Sequence, residues 1–257
     1  MSDGAPVGAL TGRVAVVFGA TGWIGSAICS ELVRSGASVI MVGRDRGRLD
    51  DMHRRLGGGD RIMPAVADVT SPLDVDDIRR DVLARFGRVD LLVVSSGVIS
   101  SSSFEDGVPA DWAEMIDVNL RGLLHASQTF AESLLAVAGQ GAPADMVLIG
   151  SVETDPHTPR FAVFNAVSAA IKQLARTLRS EYGTRGMRVH IVEPGFGVDQ
   201  GPMGPDEPAS PGSSPRPRES SPVTPETIAS VVALSAGLPP GANLAEVLLL
   251  PMRTMPA

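Results

Sequence analysis

The run "VAVVFGATGWIGSAICSELVRSG" (14–36) constrains the fold more than any other part of the chain. Five apolar residues read as a strand that faces water on neither side, and they pass directly into glycines and then into an amphipathic stretch. Gly19, Gly22 and Gly25 fall at G-x-x-G-x-x-G spacing, with Thr21, Trp23 and Ile24 between them. Glycines so placed permit a tight turn. They also let a pyrophosphate approach the backbone amides at a helix start, where the dipole favours negative charge. A strand leading through such a turn into a helix reads as a dinucleotide site. The competing reading is that the glycines only allow close packing of strand and helix.

The rest of the chain repeats the same alternation of short apolar runs and longer amphipathic stretches, as a parallel sheet buried on both faces requires. Strands are expected at 13–18, 38–42, 61–66, 90–94, 146–150, 188–192 and 246–250, and helices at 23–35, 45–56, 72–86, 111–137, 160–182 and 225–236. Ser71 before Pro72 and Thr224 before Pro225 are helix-start signals. A single α/β domain over 1–257 is expected. One stretch, about 197–224, is rich in proline, glycine and serine and reads as a long loop near a binding site.

Charge and cysteine content narrow the function classes. A net charge of -7 disfavours nonspecific binding to nucleic acid or anionic membranes. No apolar run reaches transmembrane length and the N-terminus lacks a basic leader, so a cytoplasmic protein is expected. Cys29 is the only cysteine, and His53, His125, His157 and His190 lack ligand spacing, so no metal site is expected.

Cofactor choice is legible after the second strand. "VGRDRGRL" offers no acidic residue for a ribose 2′-hydroxyl, and Arg44 stands there, followed by Arg46 and Arg48. A guanidinium suits a 2′-phosphate, so NADPH/NADP+ is the expected cofactor; the alternative is a solvated row of arginines at a helix start. Asp68 in "ADVT", beside Val69, is placed to meet the adenine amino group.

With "GATGWIG", "ADVT", "VVSSG", "DVNLRG", "VLIGS" and "RVHIVEPG", the chain resembles the short-chain dehydrogenase/reductase family over nearly its whole length. The resemblance implies a single-domain Rossmann fold, a doubly wound seven-stranded parallel sheet with helices on both faces. It also implies dimers or tetramers formed through the helices at 111–137 and 160–182. Asn119 and Ser151 match the family's catalytic asparagine and serine. Val69, Gly97, Pro194 and Gly195 fall at its cofactor contacts.

The family's Tyr-x-x-x-Lys does not follow. Phe164 and Ser168 fill its two positions, and Tyr182, the only tyrosine, lies about five helical turns further on. Ser95 and Ser96 replace residues of the family's Asn-Asn-Ala-Gly and stand beside the expected nicotinamide. Ser95, Ser96, Asn119 and Ser151 are therefore the catalytic candidates. Ser168 is a cofactor contact by position, and Phe164, His157 and Phe196 are candidate walls of the substrate pocket.

A general acid contributes about 10²–10⁴-fold to such a reduction, so its loss needs a substitute. A phenol adjacent to the ketone could supply the proton, and aromatic polyketides carry such pairs. The pattern is similar to the atypical polyketide ketoreductases. Two rivals stay open: a non-redox cyclase, isomerase or lyase that keeps the nucleotide site as scaffold, and a silent subunit that stabilises an active partner.

Overall fold

The computed structural model describes residues 8–151, 160–195 and 223–250. Seven strands form one sheet: β1 (Val14–Phe18), β2 (Ser38–Gly43), β3 (Ile62–Val66), β4 (Leu91–Val94), β5 (Ala144–Ile149), β6 (Met187–Pro194) and β7 (Glu246–Leu249). All neighbours run parallel, in the order β3-β2-β1-β4-β5-β6-β7. The helices are α1 (Trp23–Arg34), α2 (Arg46–Arg55), α3 (Pro72–Phe86), α4 (Pro109–Met115), α5 (Leu123–Gly139), α6 (Ala162–Gly183) and α7 (Pro225–Gly237). The expected fold class is what the structure shows.

Strand alternation decides which helices cover which face. Val14, Val16 and Phe18 of β1 turn to the side of α3, α5 and α6, where Phe18 meets Phe130 edge-on and Val167 and Ile171 close the layer. Ala15 and Val17 turn the other way, to Ile28 and Leu32 of α1 and Ile228 and Val232 of α7. Both layers are fully buried, which is why the strands read as unbroken apolar runs. At about 25 cal/mol per Å² of apolar surface removed from water, burial of this kind is the main stabilising term.

Helix starts follow their local chemistry. Asp45, Ser71 and Thr224 accept from the backbone N–H three residues on, and Pro72 and Pro225 begin their helices. Gly22 stands at the start of α1 and offers no side-chain oxygen. That helix start is left to backbone amides.

One element departs from expectation. The helix expected at 111–137 is α4 and α5 joined by a π-helical segment, Ile116–Gly122. A π segment adds one residue to a turn without changing the apolar spacing on either side, so periodicity does not reveal it. It carries Asn119.

Candidate active site

The sheet order reverses between β1 and β4, and in open α/β sheets ligands bind beyond the carboxyl ends of the strands at such a point. Gly19 follows β1 with φ +76°, a conformation natural to glycine. A Cβ there would lie 2.6 Å from the Ser96 nitrogen, and one on Gly25 would lie 2.1 Å from the Gly19 carbonyl oxygen. The turn, the start of α1 and the loop after β4 thus touch through bare backbone. This contact leaves a cradle over the amides of α1 that side chains would have filled, and the residues present fit a dinucleotide pyrophosphate.

The three arginines after β2 have different partners. Arg46 pairs with Asp50 at 3.0 Å on its own helix, and Arg48 donates to the Thr21 carbonyl at 2.8 Å, bracing the glycine turn. Arg44 is exposed and makes no ion pair among the described residues. It is the guanidinium left available for a phosphate. Asp68 uses one carboxylate oxygen to accept from the Thr70 N–H at 2.9 Å and the Thr70 hydroxyl at 2.7 Å, which leaves its other oxygen for a ligand. Val69 is buried against Gly122, where a Cβ would come within 2.7 Å of it. Ile24 packs beneath the turn, and half-buried Trp23 opens α1.

Three residues expected to act on substrate or cofactor have structural roles instead. The Ser95 hydroxyl donates to the Phe18 carbonyl at 2.8 Å, beneath the glycine turn, so its proton is committed to joining β1 and β4. The Asn119 amide donates to the Val98 carbonyl at 2.7 Å and accepts from its N–H at 2.8 Å, fixing the loop after β4 to the π-helical segment. Ser168 is 5% exposed and donates to the Phe164 carbonyl one turn back at 3.0 Å. Its short side chain closes on its own helix and offers no proton to a ribose. Ser95 and Asn119 are positioning residues, and Ser168 is packing.

The remaining candidates lie at the carboxyl ends of β4, β5 and β6 and in the first turn of α6. Ser96 is half-buried, its hydroxyl unpartnered among the described residues, and Gly97 beside it is open. Ser151, just beyond β5, is buried and engaged with a neighbour. Phe164 is buried, its ring edge-on to Phe161 at 6.4 Å. Pro194 ends β6, and the Gly195 N–H donates to the Leu249 carbonyl at 2.7 Å, holding that strand end. His157 and Phe196 lie outside the described residues, as does the expected loop up to position 222.

Sequence reading missed one group on the same helix. Lys172 follows Phe164 and Ser168 at spacings of four and pairs at 2.9 Å with Glu193, whose side chain is 3% exposed. Glu193 also packs where a Cβ on Gly150 would sit, 3.4 Å from its Cγ. The i, i+4 spacing was a signal, but its buried partner on β6 was not visible.

The sequence profile of short chain dehydrogenases matches residues 13–203. An uncharacterised oxidoreductase of Staphylococcus epidermidis is 34% identical over 184 residues, spanning 72% of this chain and 77% of that protein. A metagenomic short-chain oxidoreductase solved in complex with NADP superposes with a TM-score of 0.77 at 27% identity, covering 95% of this chain and 99% of that one. Serine dehydrogenase from Escherichia coli superposes with a TM-score of 0.79 over 95% of this chain and 100% of its own; at 22% identity it speaks for the fold alone. The chain belongs to the short chain dehydrogenase family of oxidoreductases. Among the described residues no helix is long and apolar enough to cross a membrane.

Proposed function

We propose that the protein is an NADPH-dependent ketoreductase of the cytoplasm. Its substrate is an aromatic polyketide ketone of the angucyclinone type, such as the one reduced in simocyclinone antibiotic biosynthesis. One observation carries the reading: the glycine cradle is kept, with Arg44 free of ion pairs among the described residues, whereas α6 presents Phe164 and a self-bonded Ser168 in place of a proton donor. When bound, the reduced nicotinamide supplies a hydride.

The chain's residues then have separable tasks. Arg44 meets the 2′-phosphate, the amides after Gly22 meet the pyrophosphate, and Asp68 meets the adenine. Ser96 and Ser151 orient the ketone. Phe164 walls the pocket with an apolar ring and excludes water. Reduction turns the carbonyl oxygen into a strong base, and the adjacent phenol of the substrate gives up its proton to it, leaving a delocalised phenolate that solvent reprotonates. The general-acid contribution of about 10²–10⁴-fold then resides in the substrate. The protein assembles as a homodimer or tetramer, consistent with Ile116 and Leu124 exposed along the π segment and α5.

The test is nicotinamide absorbance with purified protein, NADPH and paired ketones that differ only in the adjacent phenol. Consumption confined to the hydroxylated members is expected. Equal consumption across the pairs would remove the substrate-proton mechanism. The same replaced pair on α6 also fits a non-redox enzyme or a silent partner subunit. Turnover that needs no reduced cofactor would select the first, and copurification with a homologue carrying the tyrosine and lysine would select the second.

A further inference from the structure

The charged side chains of α6 meet the sheet in order along the helix. Arg179 donates to the Val189 carbonyl at 3.0 Å, near the amino end of β6, and Arg176 holds Glu246 at 2.7 and 2.9 Å. Lys172 meets Glu193 at 2.9 Å, near the carboxyl end of β6. Helix and strand therefore run antiparallel, and each step back along α6 is a step toward the site. Among the ion pairs of α6 in the described residues, that of Lys172 lies nearest the site. Phe164 is eight residues further back, about 12 Å along the helix axis, and Ser168 between them bonds only to its own helix.

Glu193 carries the other half of the argument. Its side chain is 3% exposed and turns to the same layer as Ile191, two residues before it on β6. Its Cγ stands 3.4 Å from where a Cβ on Gly150 would lie, so the carboxylate stem rests against bare backbone. Gly150 donates to the Val192 carbonyl at 2.9 Å and is followed by Ser151; Glu193 is followed by Pro194 and Gly195. One buried side chain thus lies against the ends of both β5 and β6, and the cation that holds it comes from the helix of Phe164.

An ion pair in such a place is a weak source of stability, because an apolar pair of the same volume packs without the desolvation cost. What a directional pair does supply is register. The register here is that of α6 against the strand ends that carry Ser151 and Gly195.

We propose that Lys172 and Glu193 are positioning residues for the reduction: their pair sets the distance between Phe164, which walls the pocket, and Ser151, which orients the ketone. The inference rests on the ketoreductase reading. With the proton drawn from the substrate, orientation is the larger part of what the chain contributes, and an error of about 1 Å in such groups can cost about 10²-fold in rate. The anchor that Ser168 does not provide is supplied one turn further along the same helix.

The test compares Lys172→Met and Lys172→Arg in the whole protein. Lys172 is 28% exposed, so water reaches the carboxylate freed by Lys172→Met, and the melting temperature should fall only slightly. Amide exchange at Gly150 and Gly195 should quicken about tenfold, while exchange at Asp145, bonded to the Asp90 carbonyl at the far end of β5, stays as in the parent. On the hydroxylated ketones kcat should fall about 10²-fold, with KM for the ketone and the NADPH dissociation constant within about threefold. Lys172→Arg keeps the charge and the donor and should restore most of kcat. Unchanged exchange and kcat in Lys172→Met overturn the proposal. So does a loss that Lys172→Arg fails to rescue, or faster exchange that extends to Asp145, since either marks general loosening. Faster exchange confined to Gly150 and Gly195, in a protein that consumes no NADPH with any ketone, would support the hold of the pair on the site and defeat the reductase reading. Equal NADPH consumption by parent and Lys172→Met would keep that reading and remove the pair from it.

Discussion

The two ends of the sheet use polar residues in opposite ways. At the amino ends of the strands, Asp145 is fully buried and accepts from Arg188 at 2.6 and 3.0 Å, Arg13 at 2.6 Å and His190 at 2.8 Å. Arg188 also donates to the carbonyls of Ala236, Leu238, Pro239 and Ala242, and Arg13 to those of Asp90 and Ala236. At the carboxyl ends, among the described residues, there are glycines, serines, Asp68, the single pair of Lys172 with Glu193, and Arg44, which makes no ion pair. Charge is used in a buried network at one end, whereas at the other only the Lys172–Glu193 pair is buried and Arg44 is left for ligands. The contrast teaches that cofactor and substrate chemistry can be altered at the open end without unfolding the protein, while the closed end tolerates little.

The strongest way to break this division is Asp145→Ala. It leaves Arg13 and Arg188 buried without their anion and should cost about 3–5 kcal/mol by denaturant titration, far beyond any single change at the crevice. Acid probes the same end. Burial raises the Asp145 carboxyl, but hydrogen bonds from His190 and Arg188 and the Arg13 charge outweigh it and hold it below the ordinary range. Arg176 above all holds Glu246, at the amino end of β7, down to about 2. A carboxylate with a depressed folded pKa stabilises at pH above its unfolded value and loses that contribution as pH falls through the folded one. Melting temperature should therefore hold at neutral pH and fall as pH drops below about 4 toward about 2.

Gly25→Ala tests the open end next. Its Cβ would collide with the Gly19 carbonyl, so stability should drop by about 1–3 kcal/mol and NADPH affinity by more than about tenfold. Arg44→Ala should sharpen the comparison. NADPH binding weakens about tenfold, or roughly 1.4 kcal/mol, with NADH binding and melting unchanged. Smallest is Ser95→Ala. Phe18 keeps the Ser95 N–H at 3.1 Å, so about 0.5–1.5 kcal/mol of stability is lost. Turnover should persist, because the hydroxyl faces the turn and not the substrate.

The closed end was nearly invisible in the sequence, and the open end was partly legible. The strands were readable because β1 and β4 are buried on both faces and leave no polar position to confuse the pattern. The glycine turn was readable because its chemistry is local. Where a hydroxyl points is not: Ser95, Ser168 and Asn119 were assigned to ligands, yet each is satisfied by a backbone carbonyl whose position depends on packing. Arg44, Arg46 and Arg48 looked equivalent until Asp50 and the Thr21 carbonyl took two of them. The Asp145 cluster needed the segments at β1, β5 and β6 brought together, which leaves no trace in residue spacing.

The hydrogen bond from Arg13 to the Ala236 carbonyl spans 223 positions of sequence. Together with the packing of α7 on α1, it bears on how the chain is made. β1 and α1 are made well before α7, whose Ile228 and Val232 cover them, and bringing such distant segments together is slow. Until then Ile28 and Leu32 are an apolar surface awaiting its cover. A truncation just before α7 should accordingly yield aggregate rather than a smaller domain.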